Sequence, residues 1–188
     1  MRVYVIRHGE SESNRNGLWT GWLDAPLTDK GRDDAAAVSA VISGVSFEKI
    51  YASDLKRAKS TASIAIPGCK YELRRELREI NVGDLAGNPL DSINSEEKKE
   101  IQKSGYSVFG GESKADFEKR IRSFIEELEG DCVENVAVFS HAGWLRGLLD
   151  IVVGCILPRE KILCKNCAVG VFEYDGALWK LHSWINID

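Results

Sequence analysis

The chain has 188 residues, 44% hydrophobic and 29% charged, with a formal net charge of −4, which suits one soluble domain with a sizeable core. An acidic balance argues against a general nucleic-acid binder, and no apolar run approaches the roughly 20 residues that span a bilayer. The N-terminus opens directly into a strand, with no cationic leader or apolar h-region, so no secretory signal is read and a cytoplasmic location is expected. Five scattered cysteines fit reduced thiols better than a disulfide framework.

Val3–Ile6 is a short apolar run that leads into Arg7-His8-Gly9-Glu10, and it reads as a buried strand. Thr28 caps a helix carried by Ala35, Ala36, Val38, Val41 and Ile42 and ended by Gly44. Phe47–Ala52 is a second strand, Ser53 starts a helix through Ala58, Ala62 and Ala65, and Pro67-Gly68 stops it. Cys69–Leu73 is a third strand, followed by a Gly-rich irregular stretch from Leu77 to Leu90. Ser92–Lys103 is a charged helix, Gly110-Gly111 a break, and Lys114–Leu128 a long amphipathic helix. Asn135–Phe139 is the next strand, Gly143–Val153 the next helix, and Ala168–Tyr174 with Leu178–Trp184 a hairpin turning at Asp175-Gly176. Strands alternating with helices imply an α/β fold, a mostly parallel central sheet covered on both faces. The reading is one domain over residues 1–188, with an insertion capping the site at about 84–111.

Four pieces carry the chemistry. His8 and His141 each stand at the downstream end of a strand, where ligand sites gather in open α/β sheets. Gly9 lets the backbone approach a ligand closely, and Arg7 sets a guanidinium beside the first imidazole. Ser53–Arg57 offers free N–H groups at a helix start and the Arg57 cation, which suit an anion; taken singly, Arg57 also reads as a solvated helix charge. Leu77-Arg78-Glu79 places a carboxylate in an irregular loop, where it also reads as an ordinary surface acid. His141-Ala142-Gly143 again crowds a histidine with small residues. On one sheet edge, two histidines, arginines and a carboxylate suit phosphoryl transfer. A neutral imidazole can attack phosphorus directly, and arginines supply positive charge without a metal. There is no G-x-x-x-x-G-K-[ST] or H-E-x-x-H sequence and no carboxylate cluster for Mg²⁺, so no metal or cofactor is expected, although a His8/His141/carboxylate centre stays open. The lone Cys164-Lys165-Asn166-Cys167 reads as small residues entering a strand.

Arg7-His8-Gly9-Glu10-Ser11 with Asn14, then Ser53–Ala58, Leu77-Arg78-Glu79, Gly111-Glu112-Ser113 and Ser140-His141-Ala142-Gly143 resemble the histidine phosphatase superfamily, over nearly the whole chain and in that family's order. The group includes cofactor-dependent phosphoglycerate mutases and small-molecule phosphatases, and the resemblance implies a phosphoglycerate mutase-like fold. It further implies that His8 is the nucleophile and becomes phosphohistidine. Arg7, Arg57 and His141 would hold the phosphoryl oxygens, Glu79 would be the general acid and then the base, and Asn14 a further phosphate contact. Thr20, Gly21 and Ala142 would line the substrate site.

The Gly17–Gly31 stretch looks mutase-like, with Trp19 and Trp22 either a packed pair or a stacking surface for a ring. Mutases resembling this chain carry Arg and Tyr one and three places after the acid, where Ile80 and Val82 stand here. Of the basic residues that hold a second acidic group in those enzymes, the short insertion offers only Lys98, Lys99 and Lys103. The reading is therefore a phosphomonoesterase for a small phosphorylated metabolite. The alternatives are a cofactor-dependent phosphoglycerate mutase or, in another class, a catalytically silent phosphate-binding regulatory module. The closing hairpin could offer an exposed edge to a second copy, so a homodimer is open; nucleic acid and membrane are not expected partners.

Overall fold

The computed structural model describes residues 1–158 and 161–187. Six strands form one sheet: β1 (Arg2–Arg7), β2 (Lys49–Ser53), β3 (Glu72–Arg74), β4 (Asn135–Ser140), β5 (Val169–Tyr174) and β6 (Trp179–Ile185). They lie in the order β3-β2-β4-β1-β5-β6. The four strands β3, β2, β4 and β1 are parallel, and the hairpin β5–β6 joins β1 antiparallel.

Side-chain alternation divides the core between the two faces of the sheet. Val3, Val5, Val136 and Val138 point toward α5 (Lys114–Glu129) and α6 (Ala142–Val153), where Ile121, Phe124, Trp144 and Leu148 fill the layer. Ile6, Ala137 and Phe139 point the other way, toward α2 (Asp29–Val41) and α3 (Lys56–Ala65), meeting Ala35, Val38 and Ala62. The small alanines on that side let two helices lie close to the sheet. The α/β architecture with helices on both faces follows as expected.

Several boundaries differ from the sequence reading, each for a local reason. Ser53 is the last residue of β2 rather than the start of a helix; α3 begins at Lys56, whose N–H donates to Asp24 Oδ1 at 2.6 Å. The third strand is Glu72–Arg74, paired with Tyr51, Ala52 and Ser53 of β2. A one-turn helix, α1 (Glu12–Arg15), stands in the expected loop; Ser11 and Asn14 cap it reciprocally. Helix α4 is Ser95–Ser104 rather than Ser92–Lys103, because Asn94 accepts from Glu96 and Glu97 while the Glu97 carboxylate accepts from the Asn94 N–H. Thr28 does cap α2, accepting from the Gly31 N–H at 2.9 Å.

Between Val82 and Phe109 lie two 3₁₀ turns and α4, built around a small separate core. Val82, Leu85 and Ile93 form it, with Trp19, Ile80, Ile101, Tyr106 and Phe109 packed on them. No helix among the described residues is long and apolar enough to cross a membrane.

The loop after β1 is pinned to α2 backbone against backbone. A Cβ on Gly31 would overlap the Glu10 carbonyl oxygen, and one on Gly9 would overlap the carbonyl oxygen of Gly31. Gly9 thus makes a close approach to Gly31. Gly31→Ala should lower stability by about 2–3 kcal/mol through forced separation of these segments, read from denaturant unfolding; a loss under about 0.5 kcal/mol would show that they part freely.

Candidate active site

Strand register builds the site. Arg7 lies opposite Ser140 across the β1–β4 pair, and Ala52 lies opposite Phe139 across β2–β4. The residues just beyond these ends, His8 and His141, therefore meet, with ring centroids 5.0 Å apart and planes at 64°. Ser53 ends β2 on the far side of His141, and its Oγ lies 2.9 Å from His141 Nε2. The His8 N–H donates to Ser140 O at 3.0 Å, locking the two strand ends together.

Heavy-atom positions fix the tautomer of His8. Nδ1 lies 2.7 Å from the Gly9 carbonyl oxygen, which only accepts, so Nδ1 carries the proton. Nε2 then presents a lone pair, and it accepts from Arg57 Nε at 3.1 Å. Arg57, 1% exposed, also donates to Leu23 O and Gly21 O, each at 2.8 Å. Arg7 donates to Cys164 O and keeps a buried Nε with no partner among the described residues. Neither arginine has a carboxylate within salt-bridge distance among those residues. Burial lowers the pKa of Arg57 to about 10, so the group still carries its charge at neutral pH. Burial, reinforced by the positive charge of Arg57 and Arg7, holds His8 well below the usual histidine range, and the same causes hold His141 neutral. His141 Nδ1 is buried and has no partner among the described residues.

Glu79 lies at the rim. Its Oε2 accepts from the Gly143 N–H of the first turn of α6 at 3.1 Å and its Oε1 from the Ile80 N–H at 3.0 Å. A Cβ at Gly143 would overlap Glu79 Oε1, so a larger residue there would push the carboxyl group aside. Arg7, Arg57 and Tyr106 all lie within electrostatic reach of the Glu79 carboxyl group. The five residues His8, His141, Arg7, Arg57 and Glu79 are thus brought into one pocket. Among the described residues, no group of three His, Cys, Asp or Glu is close enough to hold a metal ion.

The remaining expected residues are placed less directly. Asn14 Oδ1 accepts from the Ser11 N–H and from Asn166 Nδ2 at 3.3 Å, which turns the carbonyl end of its amide toward the protein. Gly21 packs its Cα against Val82 and gives its carbonyl to Arg57. Thr20 Oγ1 donates to Leu18 O at 3.3 Å, with no side-chain bond to the five. Ala142 opens α6 beside His141. At the start of α3 the Leu55 N–H meets Ser53 Oγ and the Lys56 N–H meets Asp24 Oδ1, so neither is free for an anion.

Three supports escaped the sequence. Asn166 Nδ2 and the Cys167 N–H both donate to the His8 carbonyl, so the Cys164–Cys167 stretch is the floor under Arg7 and His8. Arg120 spends all five of its N–H donors: two on the Glu112 carboxylate and three on the carbonyls of Glu76, Arg78 and Glu79. Glu112 Oε2 also accepts from the Asn81 N–H, so the pair clamps the chain on both sides of Glu79. Trp22 is held between the guanidiniums of Arg75 and Arg78, and its indole N–H donates to Glu79 O at 2.7 Å. Trp19 packs edge-on against Tyr106. Both tryptophans are thus engaged by protein.

Comparison with known proteins agrees over the same span. The family model for the histidine phosphatase superfamily (branch 1) matches residues 3–187. A protein of Photorhabdus laumondii subsp. laumondii named probable phosphoglycerate mutase GpmB is 32% identical, over 98% of this chain and 90% of that protein. A crystal structure of a phosphoglycerate mutase from Thermus thermophilus superposes with a TM-score of 0.78 at 26% identity, covering 100% of both chains. One from Bacillus anthracis str. Sterne gives 0.83 at 25% identity, covering 97% of this chain and 92% of that one.

Because His8 and His141 are neutral when buried and near 6.5 when unfolded, the unfolded state binds more protons below that pH. Stability is therefore full above about pH 6.5 and falls on acidification by roughly 1.4 kcal/mol per pH unit for each histidine. In urea titrations at pH 5 and 7, His8→Asn should lose one histidine's share of this slope; an unchanged slope would sink the assignment. Arg120→Met should cost about 3 kcal/mol, since it leaves the Glu112 carboxylate and three carbonyls without their donor, and it should loosen Glu79 enough to lower kcat in any assay the enzyme supports.

Proposed function

This chain belongs to the histidine phosphatase superfamily, and on that footing we propose that it is a metal-independent phosphomonoesterase that turns over a small phosphorylated metabolite through a phosphohistidine at His8. The observation that carries the reading is a neutral imidazole whose Nε2 lone pair meets the buried Arg57 guanidinium, with neither Arg57 nor Arg7 paired to a carboxylate among the described residues. A phosphoryl dianion is the complement of that pocket.

The steps follow from the placement of the groups. Arg7, Arg57 and His141 take the equatorial phosphoryl oxygens, and Arg57 Nε exchanges its bond to His8 for one to the substrate. His8 Nε2 then attacks phosphorus in line with the ester oxygen, the P–O bond breaks, and the leaving alkoxide takes a proton from the Glu79 carboxyl. Water next gives a proton to the Glu79 carboxylate and attacks phosphorus. The P–N bond breaks, releasing inorganic phosphate and neutral His8.

Hydrolysis is favoured over isomerisation by the residues that follow Glu79. Val82 is buried and Ile80 packs on the same small core, so the two positions that carry Arg and Tyr in the mutases resembling this chain supply no cation here. Lys98, Lys99 and Lys103 are exposed on α4, Lys99 paired with Glu96, and Arg78 is held by Asp54 through two bonds of 2.7 Å. The names of the relatives favour a phosphoglycerate mutase, and this is the second reading.

Both are decided by one set of assays. With EDTA present, p-nitrophenyl phosphate, 3-phosphoglycerate with 2,3-bisphosphoglycerate, and alpha-ribazole phosphate are incubated with the wild type and with His8→Ala. Phosphate release that survives EDTA and vanishes in His8→Ala is the expected outcome. Arg57→Ala should lower the rate on the order of 10²–10³-fold, as loss of an oxyanion donor does. Rapid formation of 2-phosphoglycerate with little free phosphate would establish the mutase instead.

A further inference from the structure

We infer that Ser53 is a positioning residue for this reaction: its hydroxyl donates to His141 Nε2, which places the imidazole proton on Nδ1 and aims an N–H at the phosphoryl oxygens. The inference rests on the phosphoryl-transfer reading of the same pocket and deepens it.

The geometry is specific. Ser53 and His141 are each 0% exposed, and Ser53 Oγ lies 2.9 Å from Nε2. Either atom could hold the shared proton, so the rest of the surroundings decide. Ser53 Oγ accepts from the Leu55 N–H at 3.4 Å, which occupies a lone pair and leaves the hydroxyl proton to be given away. Among the described contacts of Ser53 Oγ, His141 Nε2 is the one acceptor. On the other side of the ring, Nδ1 is buried with no protein partner among the described residues, and it belongs to the imidazole that stands edge-to-face 5.0 Å from His8.

A neutral imidazole has one N–H and one lone pair. Burial and the cations around it keep His141 neutral before substrate arrives, so only one ring nitrogen can donate. If Nε2 held the proton, Nδ1 would turn a lone pair toward the lone pairs of the phosphoryl oxygens, and the ring would oppose binding. With Ser53 as donor, the same ring becomes a third hydrogen-bond donor beside Arg7 and Arg57, ready before the substrate enters. A carboxylate in place of the hydroxyl would fix the opposite tautomer, because it only accepts. A serine hydroxyl beneath this histidine therefore matters for its donor proton.

The test uses protein labelled with ¹⁵N at histidine; with three histidines in the chain, His182→Gln and His8→Asn assign the ring signals. In the free wild type, His141 should be the tautomer protonated on Nδ1. In Ser53→Ala the proton should shift toward Nε2, inorganic phosphate should bind about 10-fold more weakly by calorimetry, and kcat/KM on p-nitrophenyl phosphate should fall 10- to 100-fold. Ser53→Thr, which keeps the hydroxyl, should restore the Nδ1 proton and most of the phosphate affinity. A wild-type His141 protonated on Nε2 would overturn the inference, whatever the variants do. So would a folded Ser53→Ala that keeps both the tautomer and the phosphate affinity. A wild type with the proton on Nδ1 that binds phosphate in a Ser53-dependent way but hydrolyses nothing would uphold Ser53 and overturn the phosphatase reading alone.

Discussion

Two guanidinium groups, the buried Arg57 and the half-buried Arg7, have no carboxylate within salt-bridge distance among the described residues, and this is the constraint around which the rest of the molecule is arranged. Desolvating Arg7 and Arg57 is costly, and a buried acid would be the usual remedy. Here the compensation comes instead from backbone carbonyls, those of Gly21, Leu23 and Cys164. Carbonyl dipoles stabilise a cation without cancelling it, so the pocket keeps its net positive field. That field has a second effect: together with burial, it keeps both imidazoles neutral, and a neutral His8 is the form that can act as a nucleophile. A carboxylate beside either arginine would weaken the attraction for a dianion and make His8 easier to protonate.

Holding such a pocket open requires rigid walls, and these come from close backbone packing. The ends of β1, β2 and β4 are aligned by register, so Arg7, Ser53 and Ser140 fall in one row and the histidines follow directly. The loop after β1 is fixed to α2 by the Gly9–Gly31 contact, and from the other side by Asn166 and Cys167. The acid loop has no regular structure of its own beyond the 3₁₀ turn Arg75–Leu77. Its shape is imposed by the Arg120–Glu112 pair, by Trp22 and by the first turn of α6. Glu79 therefore sits on a segment that is irregular but over-determined.

Much of this is legible in the sequence, and the reason is periodicity. Val3–Ile6 and Val136–Phe139 are uninterrupted apolar runs because the strands are buried on both faces, and that makes the positions of His8 and His141 informative. What periodicity does not carry is register, so the distance between the rings comes only from the fold. Ser53 reads as a helix start because a serine after an apolar run looks the same whether it caps a helix or ends a strand. Arg120 is one charge among several on an amphipathic helix, and nothing in its spacing separates a five-donor clamp from a solvated side chain. Asn166 lies between two cysteines whose spacing suggests thiol chemistry; all five thiols are free, and the amide between them holds His8. Supports of this kind act through backbone carbonyls, which carry no sequence signal.

The pocket also changes character with depth. Its inner end holds the guanidiniums of Arg7 and Arg57 and the ring of His141, with the His8 Nε2 lone pair among them. Just after Glu79 the chain carries Ile80 and Val82, which pack with Trp19 and Tyr106 in the small core; burial raises the pKa of the Tyr106 hydroxyl to about 12, so it carries no negative charge at neutral pH. Arg57 uses three of its five N–H groups on the protein, which fixes its plane before any ligand enters. Cations thus gather at one end of the site, and the segment that follows Glu79 brings apolar side chains instead. For an isomerase that must keep a doubly charged intermediate while it turns round, that asymmetry is a defect. For an enzyme that must release an uncharged alcohol and admit water behind it, the same asymmetry speeds the exchange, since the leaving group loses its one strong attachment when the P–O bond breaks.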